Sequence, residues 1–203
     1  MRALVILLLL VSTVEAGTIP QRAKPWLSLL DTTVLSIWPT IPLRHIPPAQ
    51  VEQESSWKQT AELKTHREYG FGFVQITITN RFNNFVEAKR VTKMNIPWED
   101  RFDAKFQFSF LAKMDKSNFE VSKKFFDDDV SRMKGMLICY NAGPGTLLHR
   151  RAISKARTWD GGLANVHAVY EERLLYGRPL WKARNEYPQL IFRKAEKYKR
   201  RYP

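Results

Sequence analysis

The chain has one cysteine, Cys139, among 203 residues, so no internal disulfide can form and the fold must be held by its core. Metal-ligand spacing is lacking as well. His45, His66, His149 and His167 stand apart from one another, and the run Asp127-Asp128-Asp129 has neither the alternation nor the glycine of a calcium loop. No metal and no cofactor are expected. The apolar run from Ala3 to Val11 falls well short of the roughly twenty residues that a membrane-crossing helix needs. No internal repeat or low-complexity segment stands out. Acid is scarce: 20 Asp and Glu against 33 Lys and Arg leave a net charge of +13, which points to an anionic partner.

What is present begins with Met1-Arg2 ahead of the apolar run, followed by Val14-Glu15-Ala16, which places small side chains where a signal peptidase inspects them. Cleavage after Ala16 is expected, with export to a periplasmic or extracellular location; an uncleaved anchor is the alternative. About 187 residues would remain, enough to bury a core, and their net charge is unchanged because Arg2 and Glu15 cancel. Residues 17–45 carry Pro20, Pro25, Pro39 and Pro42 around an apolar stretch from Trp26 to Trp38 that Asp31 interrupts. This segment is read as a strap, linker or short helix that packs on the domain or touches a membrane surface.

Residues 46–203 are read as one mainly α domain with at most a small β element. Helices are predicted at about 48–58, 81–90, 99–115, 117–126, 128–142, 145–156, 162–175 and 186–200, with Phe102, Phe106 and Phe110 four apart and Leu111 beside them marking the clearest. Any β content is assigned to the short piece after Gln75. Gly161-Gly162 and Gly177-Arg178-Pro179 mark surface turns.

Three short pieces carry chemistry. In the first, Pro47 and Pro48 suit a helix start, and Val51 and Glu54 then lie one turn apart, with Glu52 turned elsewhere. Glu54 would end that helix. The bland reading is a solvated surface carboxylate; the functional one has Trp57, Phe71 and Phe73 desolvating it, so that it keeps a proton for use as a general acid. The second piece, Tyr69-Gly70-Phe71-Gly72-Phe73-Val74-Gln75, sets two glycines among aromatics. It is either a glycine turn into the alternating strand VQITIT, which spacing alone favours, or a loop where sugar rings stack and the Gln75 amide meets their hydroxyls. In the third, Met133, Met136 and Leu137 at helical spacing run into Cys139-Tyr140-Asn141-Ala142-Gly143-Pro144-Gly145. Asp127 to Asp129 supply N-terminal caps, Gly143 and Pro144 a stop, and Cys139 fills the core. The Tyr140 hydroxyl and Asn141 amide then either face a substrate or belong to an ordinary capped helix whose tyrosine packs inward.

Together these pieces resemble the lytic transglycosylases of the soluble, goose-lysozyme-like superfamily, whose pattern is Glu-Ser, then Gly-Leu-Met-Gln, then Ala-Tyr-Asn-Ala-Gly. Here the counterparts are Glu54-Ser55, Gly72 and Gln75 with Phe73 and Val74 replacing Leu and Met, and Tyr140-Asn141-Ala142-Gly143 with Cys139 at a usually small apolar position. A fainter likeness runs through Asn185 to Ile191, where Tyr187 matches a tyrosine that reaches the catalytic glutamate. The resemblance spans roughly residues 46–192. It implies a lysozyme-like helical domain acting on peptidoglycan glycan strands, with Glu54 catalytic and Ser55, Gly72, Gln75, Tyr140, Asn141 and Tyr187 binding substrate. It also turns the loop reading toward substrate contact rather than strand.

Hydrolysis of a glycoside ordinarily needs a second carboxylate, yet Ile76 to Phe85 contains no Asp or Glu. By the resemblance, Glu54 acts alone as acid and then base, closing a 1,6-anhydro ring on N-acetylmuramic acid. The alternatives are a hydrolytic muramidase using Asp100, Asp103 or a distant carboxylate to hold water, and a non-catalytic wall-binding or lysis accessory protein. Nucleic-acid binding rests on charge alone and is not expected. The basic end, Arg193-Lys194 and Lys197 to Arg201, is either a solvated face or a means of adhering to anionic wall polymers or a membrane surface.

Overall fold

A computed structural model of the chain describes residues 17–202 apart from 176. The leader assigned to residues 1–16 lies outside the described residues. Within them the protein is mainly helical, with seven α-helices, a three-stranded sheet and a two-stranded one. No helix among the described residues is long and apolar enough to cross a membrane. They divide into two compact units, residues 17–114 with 192–202, and residues 115–191.

In the first unit, the stretch read as a strap or short helix is α1, Leu27–Ile37, which buries Leu27, Leu30, Thr33 and Val34 at helical spacing. α2, Ile46–Ser55, opens with Pro47 and Pro48 in its first turn, where a missing N–H costs no intrahelical bond. Three antiparallel strands follow in the order β1 (Glu62–Lys64), β2 (Glu68–Phe71), β3 (Ile76–Thr79), with Glu62 opposite Phe71 and Phe71 opposite Ile76. The expectation that β structure follows Gln75 only is therefore corrected: β3 is that piece, but β1 and β2 precede it. Short charged strands such as Glu62–Lys64 carry little hydrophobic alternation, which is why periodicity missed them.

α3, Asn84–Thr92, is capped by the Asn83 side chain, which accepts from the backbone N–H groups of Phe85 and Val86. α4, Ala104–Lys123, replaces the two helices expected at 99–115 and 117–126. Asp103 sets its start by accepting from the Phe106 N–H at 2.7 Å, which leaves Phe102 outside it. No glycine or proline interrupts the run that follows. Phe106, Phe108, Phe110 and Leu111 are all buried, so this part of α4 has no solvent-facing stripe.

The second unit holds the end of α4, then α5 (Asp129–Ala142), α6 (Pro144–Ile153), a β4–β5 hairpin (Leu174–Leu175, Arg178–Pro179) and most of α7 (Leu180–Ala195). Phe126, Ile138, Cys139, Leu147, Trp159 and Leu163 form its core, Cys139 filling space there as expected. The helix expected at 162–175 does not form. That stretch contains two short 3-10 turns, Leu163–Asn165 and Val169–Glu172, before β4. Its shape follows from Glu171, a fully buried carboxylate that draws the chain toward two arginines.

Candidate active site

α2 carries Glu54 in its last turn. Its side chain is half-buried, and Oε2 has no solvent exposure. The Ser55 hydroxyl donates to the Val51 carbonyl at 3.1 Å, so it serves its own helix. The chain then leaves α2 through two consecutive non-glycine residues in the left-handed region, Ser56 (φ 50°) and Trp57 (φ 62°). Trp57 is buried, and its ring lies edge-on to Phe73 at 6.3 Å and to Phe108 at 6.5 Å. This contact brings the end of α2 beside the turn that carries Gly72 and Gln75. Phe71 looks elsewhere, toward Phe85, Trp98 and Phe102.

The second motif is the β2–β3 turn, and both of its sequence readings describe part of it. VQITIT does enter a strand, Ile76–Thr79, which corrects the loop reading drawn from the resemblance. Yet Gly72 (φ 77°) and Gln75 (φ 50°) are the left-handed positions of the turn, and Gly72 has a second constraint. A Cβ there would fall 1.7 Å from Gln107 Nε2. Gln107, fully buried on α4, accepts from the Val74 N–H at 3.3 Å and donates to the Arg101 carbonyl at 2.8 Å. The Gln75 amide donates to the Gly72 carbonyl at 3.0 Å, and its oxygen lies over Gly70, where a Cβ would sit 2.8 Å away. Gln107 carries no mark in the sequence. Nothing distinguishes a glutamine inside a phenylalanine-rich helix until the turn packs on it.

Glu52, which the sequence reading turned away from the site and left without a role, is buried in the same helix. Its Oε2 accepts from the Tyr198 hydroxyl at 2.6 Å, and its Oε1 lies 2.9 Å from Lys197 Nζ and 3.5 Å from Lys194 Nζ. Burial, reinforced by the Glu52 carboxylate, pushes the Tyr198 hydroxyl well above its ordinary value, so it remains a donor. The basic end of the chain is thus only in part a solvated face. Arg193, Arg200 and Arg201 are exposed, Lys199 pairs with Glu196, and Lys194 and Lys197 converge on Glu52.

The remaining candidates belong to the second unit. α5 begins where the Asp128 side chain accepts from the Ser131 N–H at 2.7 Å, and ends at Gly143 (φ 79°), whose N–H donates to the Cys139 carbonyl at 2.9 Å. Its last turn holds Tyr140 half-exposed and Asn141 buried. Burial pushes the Cys139 thiol up to about 12, which leaves it inert. Tyr187 is fully buried on α7, one residue before Pro188. Of the carboxylates considered for a hydrolytic mechanism, Asp103 is occupied as the cap of α4, and Asp100 is exposed in a 3-10 turn. Among the described residues no group of His, Cys, Asp and Glu is placed to hold a metal ion.

No known protein-family model matches the chain, and no curated protein matches it in sequence.

Proposed function

We propose that the protein is a peptidoglycan lytic transglycosylase with a lysozyme-like helical fold, exported by its leader, in which Glu54 is the single acid/base. The observation that carries this reading is the position of Glu54. It sits in the last turn of a short helix with one oxygen shielded from water, and a three-stranded sheet follows whose β2–β3 turn holds Gly72 and Gln75. The sequence motifs of the resemblance coincide with these structural junctions. Tyr140, Asn141 and Tyr187 remain substrate-binding candidates on the resemblance alone.

In this reaction the protonated Glu54 gives its proton to the oxygen linking N-acetylmuramic acid to N-acetylglucosamine. The bond from that oxygen to C1 breaks, and the substrate's own acetamido group stabilises the cationic centre. Glu54, now a carboxylate, takes the proton of the C6 hydroxyl while O6 bonds to C1. The glutamate ends as it began and no water is consumed, so one carboxylate suffices where hydrolysis ordinarily needs two. Asp103, engaged at the start of α4, is poorly placed to serve as the second.

The test is mass spectrometry of fragments released from purified bacterial wall by the full chain and by Glu54→Gln. Products one water lighter than reducing muropeptides, absent with Glu54→Gln, are the expected result. Reducing ends would instead identify a muramidase. No release at all would leave a wall-binding protein.

A further inference from the structure

Two left-handed residues in succession, one of them a tryptophan, form a junction that side chains rarely tolerate, and it follows directly on Glu54-Ser55. Such a conformation persists only where its surroundings over-determine it. The Ser56 N–H closes the last turn of α2 on the Glu52 carbonyl at 2.9 Å. The Lys58 N–H donates to the Ser55 carbonyl at 3.1 Å and closes the turn over Ser56 and Trp57, and beyond these two backbone bonds the clamp comes from the far end of the chain. The Trp57 indole N–H donates to the Tyr198 oxygen at 2.9 Å, while the same hydroxyl donates to Glu52 Oε2 at 2.6 Å. One phenol oxygen therefore ties a residue two places before Glu54 to a residue three places after it. Lys197 and Lys194 hold the other oxygen of Glu52, and Phe73 and Phe108 wall the indole. Any tilt of the end of α2 must break one of these contacts.

We propose that Tyr198 is a positioning residue for Glu54, and that the last turn of the chain is in this way part of the active centre. The inference rests on the reading of Glu54 as acid/base. It also changes the meaning of the basic C-terminal segment, because Lys194 and Lys197 flank an anchor point instead of serving an anionic polymer. Two of the six basic residues from 193 to 201 are committed inward.

Tyr198→Phe in the full chain keeps the ring and removes both hydrogen bonds at once. Trp57→Phe, which cuts only the tie on the far side of Glu54, serves if the first variant does not fold. Leu30→Val, a core change in α1 that removes none of these hydrogen bonds, controls for lost stability. Two readouts are needed: backbone NMR couplings at Ser56 and Trp57 together with the Trp57 indole resonance, and kcat and KM for release of anhydro ends. The expected result is loss of the left-handed couplings and a moved indole signal, with kcat down about 10- to 100-fold and KM changed less than about twofold. Leu30→Val should do neither. Unchanged couplings with wild-type kcat would overturn the proposal, and so would an equal loss of kcat in Leu30→Val. If the wild-type chain yields no anhydro product, the transglycosylase reading fails by itself, and the NMR readout alone decides whether Tyr198 holds the turn.

Discussion

Glu171 in the second unit and Glu52 in the first are both buried glutamates held by basic side chains, but the partners differ in kind. Glu171 receives the planar fork of Arg150, Nε at 3.1 Å and Nη2 at 2.8 Å, and Arg184 Nη1 at 2.9 Å. Arg150 also donates to Asn185 Oδ1 at 2.5 Å, Asn185 donates on to the Ala164 carbonyl, and the Ala168 N–H reaches Glu171 Oε2 at 3.0 Å. The network closes on itself within residues 150–185. Glu52 instead has two ammonium groups and a phenol, and the phenol leads on to Trp57. Guanidinium geometry suits a staple with every donor satisfied in place, whereas a hydroxyl can donate once and accept once, and so passes a constraint along. Loss of the first network should be felt as stability and loss of the second as geometry at Glu54.

The comparison breaks most visibly at Glu171→Ala, which leaves two guanidinium groups buried without their carboxylate. Its expected cost is about 3–5 kcal/mol, read from urea denaturation. A pH series sharpens the point. Burial by itself pushes the Glu171 carboxyl up, yet Arg150 and then Arg184 outweigh it and hold the carboxyl below its ordinary 4.5. A carboxyl with a lowered folded value contributes its full stability above the ordinary value and loses it as pH falls through the lowered one. The wild-type chain should therefore lose stability in that acid window, and Glu171→Ala should lack this component.

Glu52→Gln comes next. Its amide oxygen still accepts the Tyr198 proton, so only the attraction of Lys194 and Lys197 is lost, and both ammonium groups lie close enough to the surface to regain water. About 1–2 kcal/mol is expected. If the proposed transglycosylase function holds and Tyr198, not the charge pair, positions Glu54, kcat for release of anhydro ends should stay within a few-fold of wild type. Smallest are the helix caps, Asn83→Ala in the first unit and Asp128→Ala in the second, at about 1 kcal/mol each by thermal denaturation. Equal values would show that local rules act alike in both units; unequal values would mean that one capped end is supported from elsewhere.

Legibility in the sequence tracks how far apart the interacting groups are along the chain. The start of α2 at Pro47-Pro48, the cap at Asp128 and the stop at Gly143 each involve neighbours within a turn, and each was readable. So was the turn at Gly177, between β4 and β5. Apart from the short charged strands, the failures have distant causes. The 162–175 stretch looks helical until Glu171 is paired with Arg150, 21 residues earlier. Glu52 looks like a spare surface charge until Tyr198 arrives from 146 residues away. The backbone freedom of Gly72 is legible in the sequence, but the stronger reason for a glycine is Gln107, which no spacing rule connects to it.

The sequence by itself thus determined the mainly helical class, the start of α2, both ends of α5, the burial of Cys139 and the placing of Glu54 near a helix terminus, because hydrogen-bond satisfaction over three or four residues settles such features, whereas α2, expected to run to about residue 58, stops at Ser55. Only the tertiary structure decided that β1 and β2 join β3, that residues 162–175 abandon a helix, and that the final turn of the chain clamps both sides of Glu54. The last two outcomes depend on buried polar groups finding partners far along the chain, and a buried carboxylate left without one is costly, whereas the strands pair with near neighbours but carry too little alternation to show it.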